Sequence, residues 1–252
     1  MQTVEVRLES GEVREYPYGT RVSTIFEKGM SSRDTNPIIA ALVNNALTSL
    51  SYKVEINAEV KPVRLYSHYG NRIYRRSLSY LLAKASQEIF PERHLIIGHS
   101  LGDGFYYYFE GQSAVSDEDI QKLEQRMHAL VEQALPIERQ VLSYGETLEY
   151  VTESGLTATE KLLNFKNEPK IPVYSCDGFM DLSYEPLVMS TDLLFIFELR
   201  NYAPGFLLRF PESKNPNAIA EFKDNPVLFS IFKEYKAWGK ILDVNCTGRL
   251  NE

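Results

Sequence analysis

The residues best able to do chemistry in this sequence gather in one glycine-flanked stretch, His94 to Phe109, HLIIGHSLGDGFYYYF. His99 and Asp103 place an imidazole and a carboxylate at the bend between an apolar run, Leu95 to Ile97, and an aromatic run, Phe105 to Phe109. Gly102 and Gly104 would allow positive φ there, or a close approach to the backbone. If the bend lines a cleft, these polar groups converge in it. If it does not, the stretch is a hairpin whose rings fill the core and whose His99 caps a loop. A second group is cationic. Arg72, Arg75, Arg76 and Lys84 recur along the early part of one predicted helix, as a solvated face or as a patch that faces phosphate.

Chemistries with stricter patterns are excluded. Phosphoryl transfer on a P-loop needs GxxxxGK[ST], and Gly239-Lys240 lacks both the upstream glycine and the following hydroxyl. GHSLGDG lacks the GxGxxG spacing and leads into an aromatic run instead of a helix. There is no HExxH, and the four histidines are scattered. The two cysteines, Cys176 and Cys246, lie far apart and read as free thiols of a reducing cytoplasm. A net charge of −7 argues against a protein coated for non-specific nucleic-acid binding, though a local basic patch stays open. No apolar run approaches the roughly 20 residues of a membrane span.

Several elements must position these residues. Residues 1–63 form a first unit. Thr3 to Leu8 and Val13 to Tyr16 read as a hairpin about Ser10-Gly11-Glu12, Thr20 to Glu27 as a short helix, and Ile38 to Val43 and Val60 to Leu65 as strands. Asn44-Asn45 reads as a turn that tolerates left-handed backbone. Arg72 to Phe90 carries Ile73, Ser77, Leu78, Leu81, Ala85 and Ile89 at helical spacing, and Pro91 stops it. Asp117 to Ala134 is a second helix, started by Ser116 with Asp119 and striped by Ile120, Leu123, Met127, Leu130 and Val131. Tyr144 to Glu153 is a third, ending before Gly155. Ile171 to Ser175, Leu193 to Leu199 and Phe206 to Phe210 read as strands, and from Asn215 the pattern is helical through Phe222, Phe229, Phe232 and Trp238.

The first unit, with its VNNALTSLSYKV segment, resembles a TGS domain, a β-grasp fold that is non-catalytic. Over residues 64–212, RSLSYLLAKA, GFYYYF, SDEDIQKLEQRMHALVEQALPIER, FMDLSYEPLV and FELRNYAPGFLLRF run in the order of the second N-terminal domain of threonyl-tRNA synthetase, which hydrolyses mischarged seryl-tRNA. The resemblance implies an α+β chain, a β-grasp domain followed by an editing-like domain, with 213–252 as a helical linker. The editing pattern uses two histidines four apart and then a cysteine and a histidine four apart. Those positions fall here on Arg76 and Tyr80, and on Ser183 and Leu187. The resemblance therefore implies no editing and no zinc, since a guanidinium is always protonated and Leu187 can neither hold metal nor move a proton.

Lys161 and Asp181 match polar residues of the editing pocket, and Tyr107 falls in its aromatic strand. A polar cleft lined by Arg76, Tyr80, His99, Asp103, Tyr107, Lys161, Asp181 and Ser183 would suit a nucleotide or an RNA 3′ end. Alternatively, Arg76 pairs with Asp181 as a structural ion pair. RIYRRSLSYLLAKA, LIIGHSLGDGFYYYF, YAPGFLLRFPE and GRLNE also resemble bacterial uridine-kinase-like fusion proteins, in which a P-loop kinase domain follows. On that resemblance the chain is a cytoplasmic accessory region whose partner is a kinase domain of the same polypeptide, and ATP and magnesium belong to that domain. Two alternatives stand beside it: an ester hydrolase of aminoacyl or nucleotide substrates using Lys161, Asp181 and His99, and a homo-oligomeric dimerisation scaffold built on Phe222 to Trp238.

Overall fold

Alternation begins the fold. In β1 (Thr3–Leu8) Val4 and Val6 are buried between exposed neighbours, and β2 (Val13–Pro17) folds back on it antiparallel. The computed structural model describes residues 2–26, 29–30, 34–101, 104–111, 114–165, 168–212 and 214–241. After β3 (Thr20–Arg21) and a short α1 (Val22–Ile25) comes β4 (Ile38–Val43), buried along almost its whole length. Asn44 and Asn45 both take positive φ, 50° and 65°, and turn β4 into β5 (Ala46–Ser49). Then follow β6 (Lys53–Val54), paired with β3, and β7 (Ala58–Arg64). The sheet order is β2-β1-β7-β4-β5, with β1 and β7 parallel and the other pairs antiparallel. Val4, Val6, Val22, Ile25 and Val60 share its core.

The first long helix, α2, spans His68–Ile89 and buries more than the single stripe expected of it: Tyr80 and Lys84 are buried along with Ile73, Leu78, Leu81 and Ala85. Gly70 in its first turn lies so close to the end of β7 that a Cβ would meet the Arg64 carbonyl at 2.0 Å. The hairpin of β8 (Leu95–Leu101) and β9 (Gly104–Phe109) follows, then α3 (Asp117–Glu132), whose Asp119 amide donates to the Ser116 hydroxyl at 3.1 Å. Next come β10 (Glu138–Ser143), α4 (Tyr144–Glu153) with a capping box between Ser143 and Glu146, α5 (Thr157–Phe165), β11 (Lys170–Cys176) and β12 (Phe179–Leu182). A 3₁₀ turn, Thr191–Leu193, leads to β13 (Glu198–Tyr202), β14 (Gly205–Arg209) and α6 (Pro226–Ile241).

The architecture is mixed α and β. Two more sheets run β10-β11-β12 and β13-β14-β9-β8. The chain forms two compact units, Met1–Ala85 with Met127–Phe195, and Ser86–Arg126 with Ile196–Glu252. Two expectations are corrected. Leu193 to Leu199 is a strand only from Glu198; Leu193, Leu194 and Phe197 are buried because they pack, not because they pair, and Phe195 is exposed. The last helix starts at Pro226, not near Asn215: Pro226 cannot donate to a preceding turn, and the Asn225 side chain accepts from the Leu228 amide at 3.2 Å. GRLNE lies outside the described residues. Among the described residues no helix is long and apolar enough to cross a membrane.

Candidate functional site

Four polar side chains on α2, at Arg72, Arg76, Tyr80 and Lys84, are spaced one turn apart and so share one face. Each meets the stretch from β11 to the strap after β12. The Glu185 carboxylate accepts from Arg72 Nη2 at 2.9 Å through one oxygen and from Arg76 Nη1 at 2.5 Å through the other. The Tyr80 hydroxyl donates toward the Tyr174 and Phe179 carbonyls, at 3.1 and 3.3 Å, and its ring meets Phe179 edge-on. Burial, chiefly, pushes its phenol up. Lys84 Nζ donates to the Asp177 carbonyl at 3.1 Å. Asp177 and Gly178 both take positive φ and form the two-residue turn from β11 to β12.

The facing segment is held from several sides. Tyr150 of α4 donates to the Met180 carbonyl at 2.9 Å and accepts from the Met180 amide at 3.0 Å, which fixes β12. The Ser183 hydroxyl donates to the Glu185 carbonyl at 2.8 Å, and the buried Ser77 hydroxyl of α2 accepts from the Val188 amide at 2.9 Å. Leu187 is buried. Tyr174, also buried, is hydrogen-bonded to the Leu187 backbone and the Ser49 side chain.

Arg76 is thus ion-paired, but with Glu185 instead of the expected Asp181. Asp181 turns to its own neighbour: one carboxylate oxygen accepts from the Leu182 amide at 2.7 Å. Burial pushes the Asp181 carboxyl above its ordinary value, and that hydrogen bond offsets part of the rise. Glu185, two residues past Ser183, carries no motif in the sequence; it becomes a site residue because the strap after β12 brings it to Arg72 and Arg76. Lys161 falls on α5, and its side chain lies outside the described residues.

The other expected site residues belong to the second unit. His99 is not at the bend; it is an exposed residue of β8, within a bulge between Ile97 and Ser100. Asp103 and Gly102 lie outside the described residues. Gly104 keeps close company with backbone, since a Cβ there would meet the Leu208 carbonyl at 2.9 Å. Tyr107 is fully buried and stacked on Phe206, with ring centroids 5.8 Å apart. The expectation that the sequence holds no G-x-S-x-G is corrected: Gly98-x-Ser100-x-Gly102 fits that spacing. A nucleophile on that pattern needs a sharp turn from strand into helix, whereas Ser100 sits inside β8, paired with Phe105, and β9 follows.

No family model matches the chain. It is similar to threonine--tRNA ligases: 32% identical over 204 residues to that of Carboxydothermus hydrogenoformans, covering 81% of this chain and 32% of that protein. The ligase of Desulforamulus reducens is 28% identical over 204 residues, and that of Francisella tularensis subsp. novicida 25% over 203, each with 81% of this chain and 32% of the relative covered. The chain spans about a third of the length of the curated relatives it matches. It contains a threonine--tRNA-ligase-like domain.

Proposed function

We propose that this chain is a non-catalytic accessory region, an editing-like domain that has given up hydrolysis and serves a uridine-kinase-like phosphotransferase domain of the same polypeptide. One observation carries the loss of hydrolysis. Arg76, Tyr80, Ser183 and Leu187, at the positions of the editing groups, are all engaged in holding the chain together: an ion pair, a hydroxyl on two carbonyls, a hydroxyl on the strap, and a buried aliphatic side chain. The sheet order β2-β1-β7-β4-β5, with its parallel central pair, supports a β-grasp module ahead of the editing-like region. The phosphotransferase partner rests on the sequence resemblance of RIYRRSLSYLLAKA and YAPGFLLRFPE. ATP and magnesium are assigned to that partner domain, and the cytoplasm to the whole.

The test is a pair of assays on this chain alone, deacylation of seryl-tRNA and ATP-dependent phosphorylation of uridine. Neither should proceed above the uncatalysed rate. Turnover in either, abolished by one substitution on the α2 face, overturns the reading. A scaffold role has one observation in its favour: Val227, Ile231 and Trp238 are exposed at helical spacing on α6. Sedimentation across a concentration series decides it, with a dimer lost on changing Trp238 to Ser as the supporting outcome.

A further inference from the structure

We infer that Arg72 and Arg76 form an anion site whose resident occupant is the protein's own Glu185, and that a phosphate monoester dianion takes the site when Glu185 moves out. The proposal rests on the reading of this region as a non-catalytic binding module and names how its site is gated. Two guanidiniums one helical turn apart converge on a single carboxylate, with Arg72 Nη2 reaching both of its oxygens, at 2.9 and 3.2 Å, and Arg76 Nη1 reaching one. That is the forked geometry by which arginines hold phosphate. Two positive charges against one negative charge leave an excess that a dianion neutralises and a carboxylate does not.

Other features of the place support the exchange. Burial raises the phenol of Tyr174, on β11 in the same segment, and the Leu187 backbone, Arg139, Ser49 and Arg76 each offset part of that rise, so a third arginine adds to the positive potential. Arg139 stands opposite Tyr174 in the pairing of β10 with β11. The Glu185 backbone is pinned, because Ser183 Oγ holds its carbonyl, so only the side chain needs to turn. The side chains of Arg72, Arg76 and Glu185 are 45%, 36% and 38% exposed, so water reaches the site and the released carboxylate is solvated at once. A pair this exposed is worth little by itself, which makes it displaceable.

The experiment is calorimetric titration of inorganic phosphate, and separately of uridine monophosphate, into the purified chain and its variants. Glu185→Gln empties the site of its carboxylate while keeping the shape. It should bind phosphate at least about tenfold tighter than the unchanged chain, an effect lost in Glu185→Gln combined with Arg76→Ala. The gain should weaken as salt is raised. Tighter binding of the nucleotide than of phosphate assigns the ligand to the nucleotide; equal binding assigns it to the phosphoryl group alone. A thermal melt accompanies each titration. If Glu185→Gln does not fold, Glu185→Asp, whose carboxylate is drawn back by one methylene, carries the test with a smaller gain in the same direction. Equal affinity in the unchanged chain and the folded variant overturns the gate. Seryl-tRNA deacylation measured on the same samples keeps the two ideas apart, since turnover there sinks the non-catalytic reading whatever phosphate does.

Discussion

At the scale of single residues, the α2 face is held by polar groups whose energies differ with burial. Ser77 is the most committed, since its hydroxyl donates to the Ile73 carbonyl at 2.8 Å and accepts from the buried Val188 amide. Ser77→Ala leaves that amide without a partner and should lower stability by about 1–3 kcal/mol in urea unfolding. Asp181 works in the other direction. Its folded carboxyl is raised by burial, so the neutral form is favoured in the fold and its ionisation above that value costs stability. Asp181→Asn keeps an oxygen for the Leu182 amide and removes the charge. It should raise the melting temperature at neutral pH. The advantage should shrink as pH falls through the raised folded value and be gone below the ordinary 3.8, where Asp181 is protonated in both states. A gain that persists unchanged at acid pH would refute this account.

At the scale of elements, close packing of backbone sets the sharpest limits. Gly205 in β14 lies against β9 so tightly that a Cβ would meet the Tyr107 carbonyl at 2.0 Å. Backbone cannot yield as a flexible side chain does, so Gly205→Ala should cost about 3 kcal/mol or more, or prevent folding of that sheet. Hydrogen exchange of the β9 amides would report it. The elements that the sequence disclosed are those whose own pattern is complete: alternation in β1, the apolar run of β4, the long stripe of α2, the Ser116 cap and apolar stripe of α3. ERQVLS, which becomes β10, has no such pattern, because it is a largely exposed edge strand defined by pairing with β11. TATEKLLNF, which becomes α5, is short, and it is fixed by packing of Leu163 against Val151 and Ile171. The run ending at Leu199 shows the reverse fault: apolar residues announce burial without saying whether the backbone pairs. Arg76 could be found by resemblance, but its partner, Glu185, depends on how the strap after β12 turns, which no local spacing encodes.

At the scale of the whole molecule, both compact units are built from two separate stretches of chain. Neither can be cut out as a continuous segment. A chain that stops after Phe195 keeps every residue of the first unit but loses β13 and β14, and with them half of the sheet β13-β14-β9-β8. Such a chain should keep slow amide exchange in β1, β4 and β7 and lose it in β8 and β9, since a two-stranded hairpin by itself is marginal in water. Protection retained in β9 would show that the hairpin stands without its later partner.

The late arrival of β14 has a consequence for how the protein is made. GFYYYF emerges from the ribosome with β8 beside it on one edge only, and the strand that covers its other edge begins at Gly205. At about 5–20 residues per second, that edge stays open for on the order of ten seconds. During that time an aromatic, uncharged strand is available to pair with any neighbouring nascent chain. Slowed translation across residues 110–204 would lengthen that exposure, and the yield of soluble protein should therefore depend on codon choice in a segment far from the strand it endangers.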